Sequence, residues 1–293
     1  MPTKATIPGI LMIAAVGALA LQSLGAQSAG TALDRAGVLR AAADALGMVR
    51  WADIGAGATR LPGIDVINTM EFRGSGTSYS SGQTLKTDFY VALGYNPAAM
   101  RMEITRTGPG GGAPQQSIQT VRENYAWNES ETGGGLVPGK GTATPAMAAL
   151  KERLLQVWTL PYGVVKAALT AGEKTTVSTE NGATVITFPL SGQLAGITVK
   201  ATLDSKNFVT KVETRPDNPA LANLAMETEY SGYADHGEIL TDIQSPGRIV
   251  QRQGGRPVLD IQVKEWEANN PYLVFPVPPN VKTAGDGRPS AGR

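Results

Sequence analysis

The residue types that usually carry enzyme chemistry are scarce in this chain of 293 residues, which contains one histidine and no cysteine. Zinc and other transition-metal sites are built mainly from His and Cys, with carboxylates in support. Serine and cysteine nucleophiles usually depend on a His base. We therefore expect a protein that is not an enzyme and that holds neither a metal ion nor a cofactor.

The single histidine, His236, lies in the run YADHG at residues 233–237. Asp235 and His236 could act together with a distant serine, but the G-x-S-x-G elbow that would present such a serine does not occur in the sequence. Asp, His and Gly in succession are ordinary turn residues. We interpret His236 as a turn residue.

Two other patterns come close to known sites. Residues 134–141 (GGLVPGKG) nearly spell a phosphate-binding loop, but Gly141 replaces the hydroxyl that would bind Mg²⁺ and Pro138 lacks a backbone donor. We expect a flexible connector there. Glu227 and Glu229 are two apart on a predicted strand and therefore share a face. Nothing singles them out as a glycosidase pair, and we expect that face to be solvated.

Composition indicates a folded, β-rich protein. Hydrophobic residues make up 42% of the chain and charged residues 17%, which favours a packed core over disorder. The 35 glycines and 19 prolines suit many short strands and turns. The formal net charge is +1, so no long-range field attracts nucleic acid, and we expect no nucleic-acid partner.

The N-terminal segment, residues 1–30, predicts export. Lys4 precedes an uncharged apolar run over residues 7–26, which is typical of a secretory signal. Twenty residues also span roughly 30 Å as a helix, just enough for a retained membrane anchor. Both readings stay open, and both carry residue 30 onward across the membrane into the periplasm. The membrane-contacting side chains would include the apolar residues Ile7, Leu11, Val16, Leu19 and Leu21.

The rest of the chain predicts a helix, four strands, a pair of helices and about six or seven further strands. Residues 33–46 have helical apolar spacing, and residues 146–158 and 162–169 follow the same pattern on either side of Pro161. Residues 74–76 (GSG) read as a turn after the first strand. Because no strand–helix–strand alternation appears, one curved antiparallel sheet covered by helices is expected.

Large aromatic and methionine side chains fall where the predicted helices should meet the sheet. Core packing is the simpler interpretation, and the lining of an apolar groove or partner surface is the sharper one. The groove or partner candidates are Met100, Met102, Trp127, Leu154, Trp158, Tyr162 and Trp266.

Several stretches resemble a known family when they are taken in order. They are FRGSG at 72–76, MRMEI at 100–104, YAWN at 125–128, LPYG at 160–163 and IVQRQGG at 249–255. Together they resemble the N-terminal β-rich domain that precedes the zinc domain in secreted metallo-β-lactamase-fold hydrolases. The resemblance covers roughly residues 33–270. The H-x-H-x-D-H run of the zinc domain is absent from this sequence, and Tyr162 stands where a similar loop carries a histidine.

The resemblance implies a lipoprotein-carrier-like α+β fold, an open antiparallel half-barrel of about 10–11 strands wrapped over two or three helices. Carriers of this type hold acyl chains in the concave face. We expect one such domain over residues 31–277 and a flexible tail over residues 278–293.

We expect a non-catalytic periplasmic accessory or scaffold subunit of a bacterium, bound to the membrane or to a larger membrane protein complex. Two alternatives stay open: a soluble periplasmic carrier of lipid or another apolar ligand, and an accessory partner of a separately encoded hydrolase. A carrier should contain a continuous cavity of several hundred Å³ along its inner face.

Overall fold

Consecutive strands of this chain pair antiparallel with one another in the computed structural model, which describes residues 34–53, 58–65, 67–80, 82–235 and 242–285. The main sheet has 13 strands in the order β8-β7-β6-β5-β4-β3-β15-β14-β13-β12-β11-β10-β9. Its strands are β3 (Thr69–Ser80), β4 (Gln83–Tyr95), β5 (Ala98–Thr107), β6 (Gln115–Arg122), β7 (Tyr125–Glu129), β8 (Ala143–Pro145), β9 (Thr176–Glu180), β10 (Ala183–Pro189), β11 (Ile197–Leu203), β12 (Val209–Pro216), β13 (Met226–Asp235), β14 (Gln244–Gln253) and β15 (Arg256–Ala268).

The sheet is open and curved, as predicted, and it has more strands than the 10–11 expected. Two hairpin meanders, β3 to β8 and β9 to β15, join where the last strand returns beside β3. This return makes β3 and β15 the centre of the sheet and leaves β8 and β9 at its edges. A separate two-stranded sheet pairs β1 (Val49–Asp53) with β2 (Ala58–Asp65).

Within the described ranges, four α-helices accompany the sheet: α1 (Arg35–Ala45), α2 (Leu150–Thr159), α3 (Pro161–Ala171) and α4 (Pro279–Gly285). Asp34 caps α1, because its carboxylate accepts from the amides of Ala36 and Gly37 at 3.1 Å each. Pro161 separates α2 from α3 and occupies the first turn of α3, as predicted. Helix α2 packs on β5 and β6, and α3 packs on β10 and α1. We call the sheet face covered by α2 and α3 the inner face.

The predicted turn at residues 74–76 is wrong, because these residues lie in the middle of β3. A Cβ atom on Gly74 would come within 2.2 Å of the Gln262 carbonyl oxygen, and one on Gly76 within 2.1 Å of the Asp260 carbonyl oxygen. The glycines are therefore needed where β15, which has an irregular register between Val263 and Glu265, closes on β3.

The C-terminal residues differ in part from the predicted flexible tail. Residues 279–285 form α4, in which Val281 is fully buried against Trp127 and Ala143. The apolar side chain at position 281 explains why this segment docks. Residues 286–293 lie outside the described residues, as do the N-terminal segment with its predicted membrane contacts and His236. Within the described ranges, no helix is both long and apolar enough to cross a membrane.

Candidate functional site

The inner face is packed with the chain's own side chains. Three of the predicted groove residues lie there and are buried: Met100 on β5, Leu154 on α2 and Tyr162 on α3, which are 2%, 4% and 0% exposed. They belong to one continuous core cluster that also contains the inner side chains of β10 to β15. The structure therefore places these residues together, but as core rather than as the walls of an open groove.

Of the other predicted residues, Trp158 and Met102 border this core and Trp266 belongs to it. Trp158 is partly buried, and its ring lies 5.9 Å from that of Tyr95. The Trp266 ring packs on Phe72, with centroids 4.4 Å apart and the ring planes tilted by 31°, and its indole nitrogen donates to the Pro246 carbonyl at 3.1 Å. Met102 is partly buried at the margin of the core.

Trp127 lies on the opposite, outer face of the sheet, away from the helix–sheet contact where the sequence pattern put it. Its ring is fully buried among Ala143 and Val281. Its indole nitrogen donates to Glu129 Oε1 at 2.8 Å. The alternation of β7 sends Ala126 to the inner core and Trp127 outward, so Trp127 serves to hold α4.

Glu129 is the centre of a buried polar network on this outer face. Its carboxylate accepts from Thr120 Oγ1 at 3.1 Å and from the Gly133 amide at 2.7 Å, in addition to Trp127. Arg101 Nε lies 3.3 Å from Glu129 Oε2, and the Glu129 side chain is only 1% exposed. These contacts satisfy a buried charge and anchor the glycine-rich loop that follows.

That loop is a compact connector rather than the flexible one expected. Gly135 donates to the Lys140 carbonyl at 3.3 Å, and Lys140 donates to the Val137 carbonyl at 3.1 Å. A Cβ atom on Gly135 would come within 2.7 Å of the Ala143 side chain. The positive φ of 79° at Gly135 also favours glycine. The loop geometry thus explains the glycines without a phosphate.

Three tyrosine hydroxyls pin the inner helices and strands together. Tyr162 OH donates to the Gln244 carbonyl at 2.7 Å and contacts Ser245 Oγ at 2.5 Å. Tyr230 OH donates to the Thr159 carbonyl at 2.8 Å, and Tyr233 OH donates to the Val209 carbonyl at 2.5 Å. Burial raises the pKa of all three phenols, because it disfavours the charged form.

The charged outer face of the second meander agrees with the expected solvated acidic face. Glu227 contacts Lys211 Nζ at 2.7 Å, and Glu229 contacts Arg252 Nη1 at 2.7 Å. Arg248 forms a two-pronged pair with Asp260, at 2.9 and 2.8 Å, and this pair lowers the pKa of the Asp260 carboxyl. Among the described residues, no group of three or more His, Cys, Asp or Glu could hold a metal ion.

A polar group lies at one end of the inner face, between β3, β4 and β5. Ser78 and Thr87 share a buried hydrogen bond of 2.7 Å, and Arg106 Nε donates to Ser78 Oγ at 3.3 Å. Arg106 has no carboxylate within 4 Å in the part of the chain that the structure describes. Leu259, which pairs with Ser78 in the register of β15 and β3, is a partly exposed apolar side chain beside this group. We call this region the open end.

The C-terminal segment, residues 269–285, crosses the outer face of the first meander, which sequence reasoning missed. Phe275 packs on Ala92 and Ala99, and its carbonyl accepts from Arg122 Nη1 at 3.1 Å. Two large apolar side chains on this segment point to solvent, Tyr272 at 88% exposed and Val274 at 66%. The continuous apolar run YLVFPV at residues 272–277 could have indicated that this segment packs on the protein.

Comparisons with known proteins find similarity to solved structures at low sequence identity. No family model matches the chain, and no curated protein matches it. A DUF1329 family protein from Desulfovibrio piger is similar in structure over 70% of this chain and 88% of its own, with 7% identity and a TM-score of 0.43. A putative outer membrane lipoprotein-sorting protein domain from Vibrio parahaemolyticus is similar over 69% and 86%, with 9% identity and a TM-score of 0.39. The resemblance to the hydrolase accessory domain stays an expectation from sequence.

Proposed function

We propose that this protein is an exported, non-catalytic subunit of a protein assembly at the membrane, and that it binds its partner through the C-terminal segment on the outer face. The observation that carries the proposal is the contrast between the two faces. Leu154 and Tyr162 are buried in a filled inner face, whereas Tyr272 and Val274, two residues apart in the chain, are exposed. Export is inferred from the basic start and apolar run of the N-terminus.

Apolar side chains on both sides of the C-terminal segment support a partner that covers its outer side. Leu273, Phe275 and Val277 pack inward on the sheet, while Tyr272 and Val274 point outward. Tyr272 lies in a turn in which the Leu273 amide donates to the Asn270 carbonyl at 3.3 Å. The residues after it have apolar side chains on both sides, a pattern typical of a segment that is buried on both faces. The occupant that fits is a partner protein with an apolar strip. A separately encoded hydrolase is one partner that the sequence resemblance suggests.

The test is the size of the complex extracted from membranes in mild detergent, measured by native electrophoresis. We expect the wild-type protein to migrate in a complex, and the double variant Tyr272→Ser/Val274→Ser to migrate as the free subunit. Leu169→Ser is the matched control, because Leu169 is an exposed apolar residue (51%) on α3. A wild-type protein that runs alone, or a double variant that stays in the complex, would overturn the proposal.

A carrier of an apolar, anionic ligand is the second candidate, and the open end is the observation that favours it. Arg106 there lacks a carboxylate partner within the described residues, and the partly exposed Leu259 lies on the same face. An acyl chain with an acidic headgroup would match that chemistry. Titration with the fluorescent probe 1-N-phenylnaphthylamine, followed by displacement with oleate, tests it. A carrier gives saturable binding that Arg106→Gln weakens for oleate, and the absence of saturation removes this candidate.

A further inference from the structure

The two edges of the main sheet differ in how they are protected. The edge strand β8 has three residues, ends at Pro145 and is contacted by α4. The opposite edge strand, β9, has the sequence TVSTE without a proline, and it pairs with β10 without a register shift. Helix α1 also contacts β9, yet four of its five residues are exposed. Because natural edges are usually shortened, bulged, interrupted by proline or covered, β9 is the unprotected edge of the sheet in the part of the chain that the structure describes.

The geometry of the β9–β10 hairpin shows which backbone groups of β9 lack a partner. Residues 181–182 form a two-residue turn with φ values of 50° and 82°, and such a turn is closed by a pair that exchanges both backbone hydrogen bonds. The closing pair here is Glu180 opposite Ala183. Since bonded and non-bonded positions alternate along an antiparallel pair, Val177 and Thr179 direct their N–H and C=O groups away from β10. No backbone group of the described residues outside the ladder bonds them.

We propose that β9 pairs antiparallel with β9 of a second copy of this chain, about a two-fold axis at Ser178. Val177 of each copy then lies opposite Thr179 of the other, and each of these pairs exchanges both backbone hydrogen bonds. The two main sheets join into one continuous sheet through a self-complementary contact. Thr175 does not extend the match, because its amide already donates to the Gly172 carbonyl at 3.0 Å.

The charges in and next to β9 fit a second copy of the chain. Glu180 is the one charged residue of β9, and the two-fold pairing sets it opposite Thr176, so that like charges do not face each other. Lys174, just before the strand, lies diagonal to Glu180 of the second copy, within reach of a long side chain. Glu180 contacts Lys200 Nζ through Oε2 at 2.6 Å, and its side chain is 46% exposed, which leaves Oε1 for a second cation.

Disulfide crosslinking tests the pairing directly, because the chain has no cysteine of its own. Ser178 of the two copies would form a non-hydrogen-bonded pair, with Cα atoms about 4.5 Å apart, inside the range of roughly 4.4–6.8 Å that a disulfide needs. We expect the full-length Ser178→Cys variant, purified in mild detergent and oxidised with copper phenanthroline, to migrate as a dimer until it is reduced. The matched control is Ser205→Cys, at an exposed serine in the turn between β11 and β12, which should stay monomeric.

Sedimentation velocity of the full-length protein measures the affinity. We expect a concentration-dependent dimer with a Kd of about 10 μM. The substitution Thr179→Pro should raise this Kd by about 10-fold or more, because it removes one outward N–H from each copy. An edge strand tolerates a proline where the missing N–H faces away from the sheet, and circular dichroism checks that the variant is folded. If it does not fold, the crosslinking pair still decides.

Several results would overturn the proposal. They are a wild-type protein that stays monomeric up to about 100 μM, equal crosslinking of Ser178→Cys and Ser205→Cys, and a folded Thr179→Pro variant that dimerises like the wild type. A purified protein that carries a strand of another protein on β9, detected as a second chain of different mass, would overturn it too. The variant Tyr272→Ser/Val274→Ser should still dimerise, because the C-terminal segment crosses the first meander and β9 is the edge of the second.

Discussion

At the residue scale, buried polar side chains hold this fold in place. Glu129 gathers donors from Thr120, Trp127 and Gly133 beside the Arg101 guanidinium. Arg153 crosses from α2 and donates to the Trp127 carbonyl at 2.6 Å, and burial lowers the pKa of its guanidinium. From the sequence, Glu129, Arg101 and Arg153 are simply charged residues. Their burial cannot be predicted from it, because it depends on strands that are distant along the chain.

The substitution Glu129→Gln should destabilise the protein by about 3 kcal/mol. The carboxylate is 1% exposed, and removal of one partner of a buried ion pair leaves the other charge uncompensated. Urea unfolding measures the change. The control Glu131→Gln, at an exposed neighbouring position, should change stability by less than about 0.5 kcal/mol. Equal effects of the two variants would contradict a structural role for the network.

Stability should fall at alkaline pH because of the buried tyrosines. The folded protein raises the pKa of Tyr162, Tyr230 and Tyr233 above the ordinary value of 10.0. Their contribution is complete below that value, and it is lost as pH rises towards the folded pKa, because the unfolded chain releases its protons first. Each should add a slope of about 1.4 kcal/mol per pH unit.

The measurement is the urea midpoint between about pH 8 and 12. In Tyr162→Phe, the loss of stability per pH unit should be smaller by the contribution of one phenol, whatever the substitution does to stability at neutral pH. Tyr272→Phe is the control, since Tyr272 is 88% exposed and its loss should leave the slope unchanged. An unchanged slope in Tyr162→Phe would show that this phenol ionises normally in the folded protein.

At the element scale, helices were easier to read from the sequence than the path of the sheet. The apolar spacing that predicted a helix over residues 33–46 and the break at Pro161 are local, and the structure confirms both elements. Gly74 and Gly76 led to the wrong prediction of a turn, because closely spaced glycines usually mark turns. In the structure their role is set by β15, which lies almost two hundred residues further along the chain.

The substitution Gly76→Ala should destabilise the centre of the sheet by about 1–3 kcal/mol. The new Cβ would lie 2.1 Å from the Asp260 carbonyl oxygen and 2.7 Å from Ile261 Cα, both backbone atoms that cannot rotate away. Gly110→Ala is the matched control, because nothing lies within 4 Å of a Cβ at that position. The measurement is the thermal unfolding temperature of each variant relative to the wild type. If Gly76→Ala unfolds at the same temperature as the wild type, β15 does not approach Gly76 this closely.

At the scale of the whole described chain, the C-terminal segment ties the last strand to the first meander. It leaves β15 beside β3, crosses β4 and β5 at Phe275, and ends with α4 against Trp127 and Ala143. One meander is therefore covered on both faces, by helices inside and by this segment outside. The other meander has a charged outer face.

Truncation after Asn270 should expose the apolar surface beneath Phe275 and Val281 and should cost about 3 kcal/mol or more. Increased binding of the dye ANS, together with a lower urea midpoint, would report it. Truncation after Gly285 is the control, since it keeps Phe275 and α4 and removes only residues 286–293. Equal stability of the two truncated proteins would mean that the segment adds little to the fold.

The sequence by itself determined the class of fold. Period-two patterns, the helix pair around Pro161 and the absence of strand–helix alternation are local features, and they sufficed for an open antiparallel sheet over helices. The same patterns told which residues share a face, as they did for Glu227 and Glu229.

Only the tertiary structure decided what each face meets. It put Trp127 under α4 instead of under α2 and filled the inner face around Tyr162. Alternation along a strand fixes two opposite sides but does not say which is inner. That choice depends on pairing between β3 and β15 and on a C-terminal segment that packs far from its place in the chain, and such contacts leave no local pattern to read.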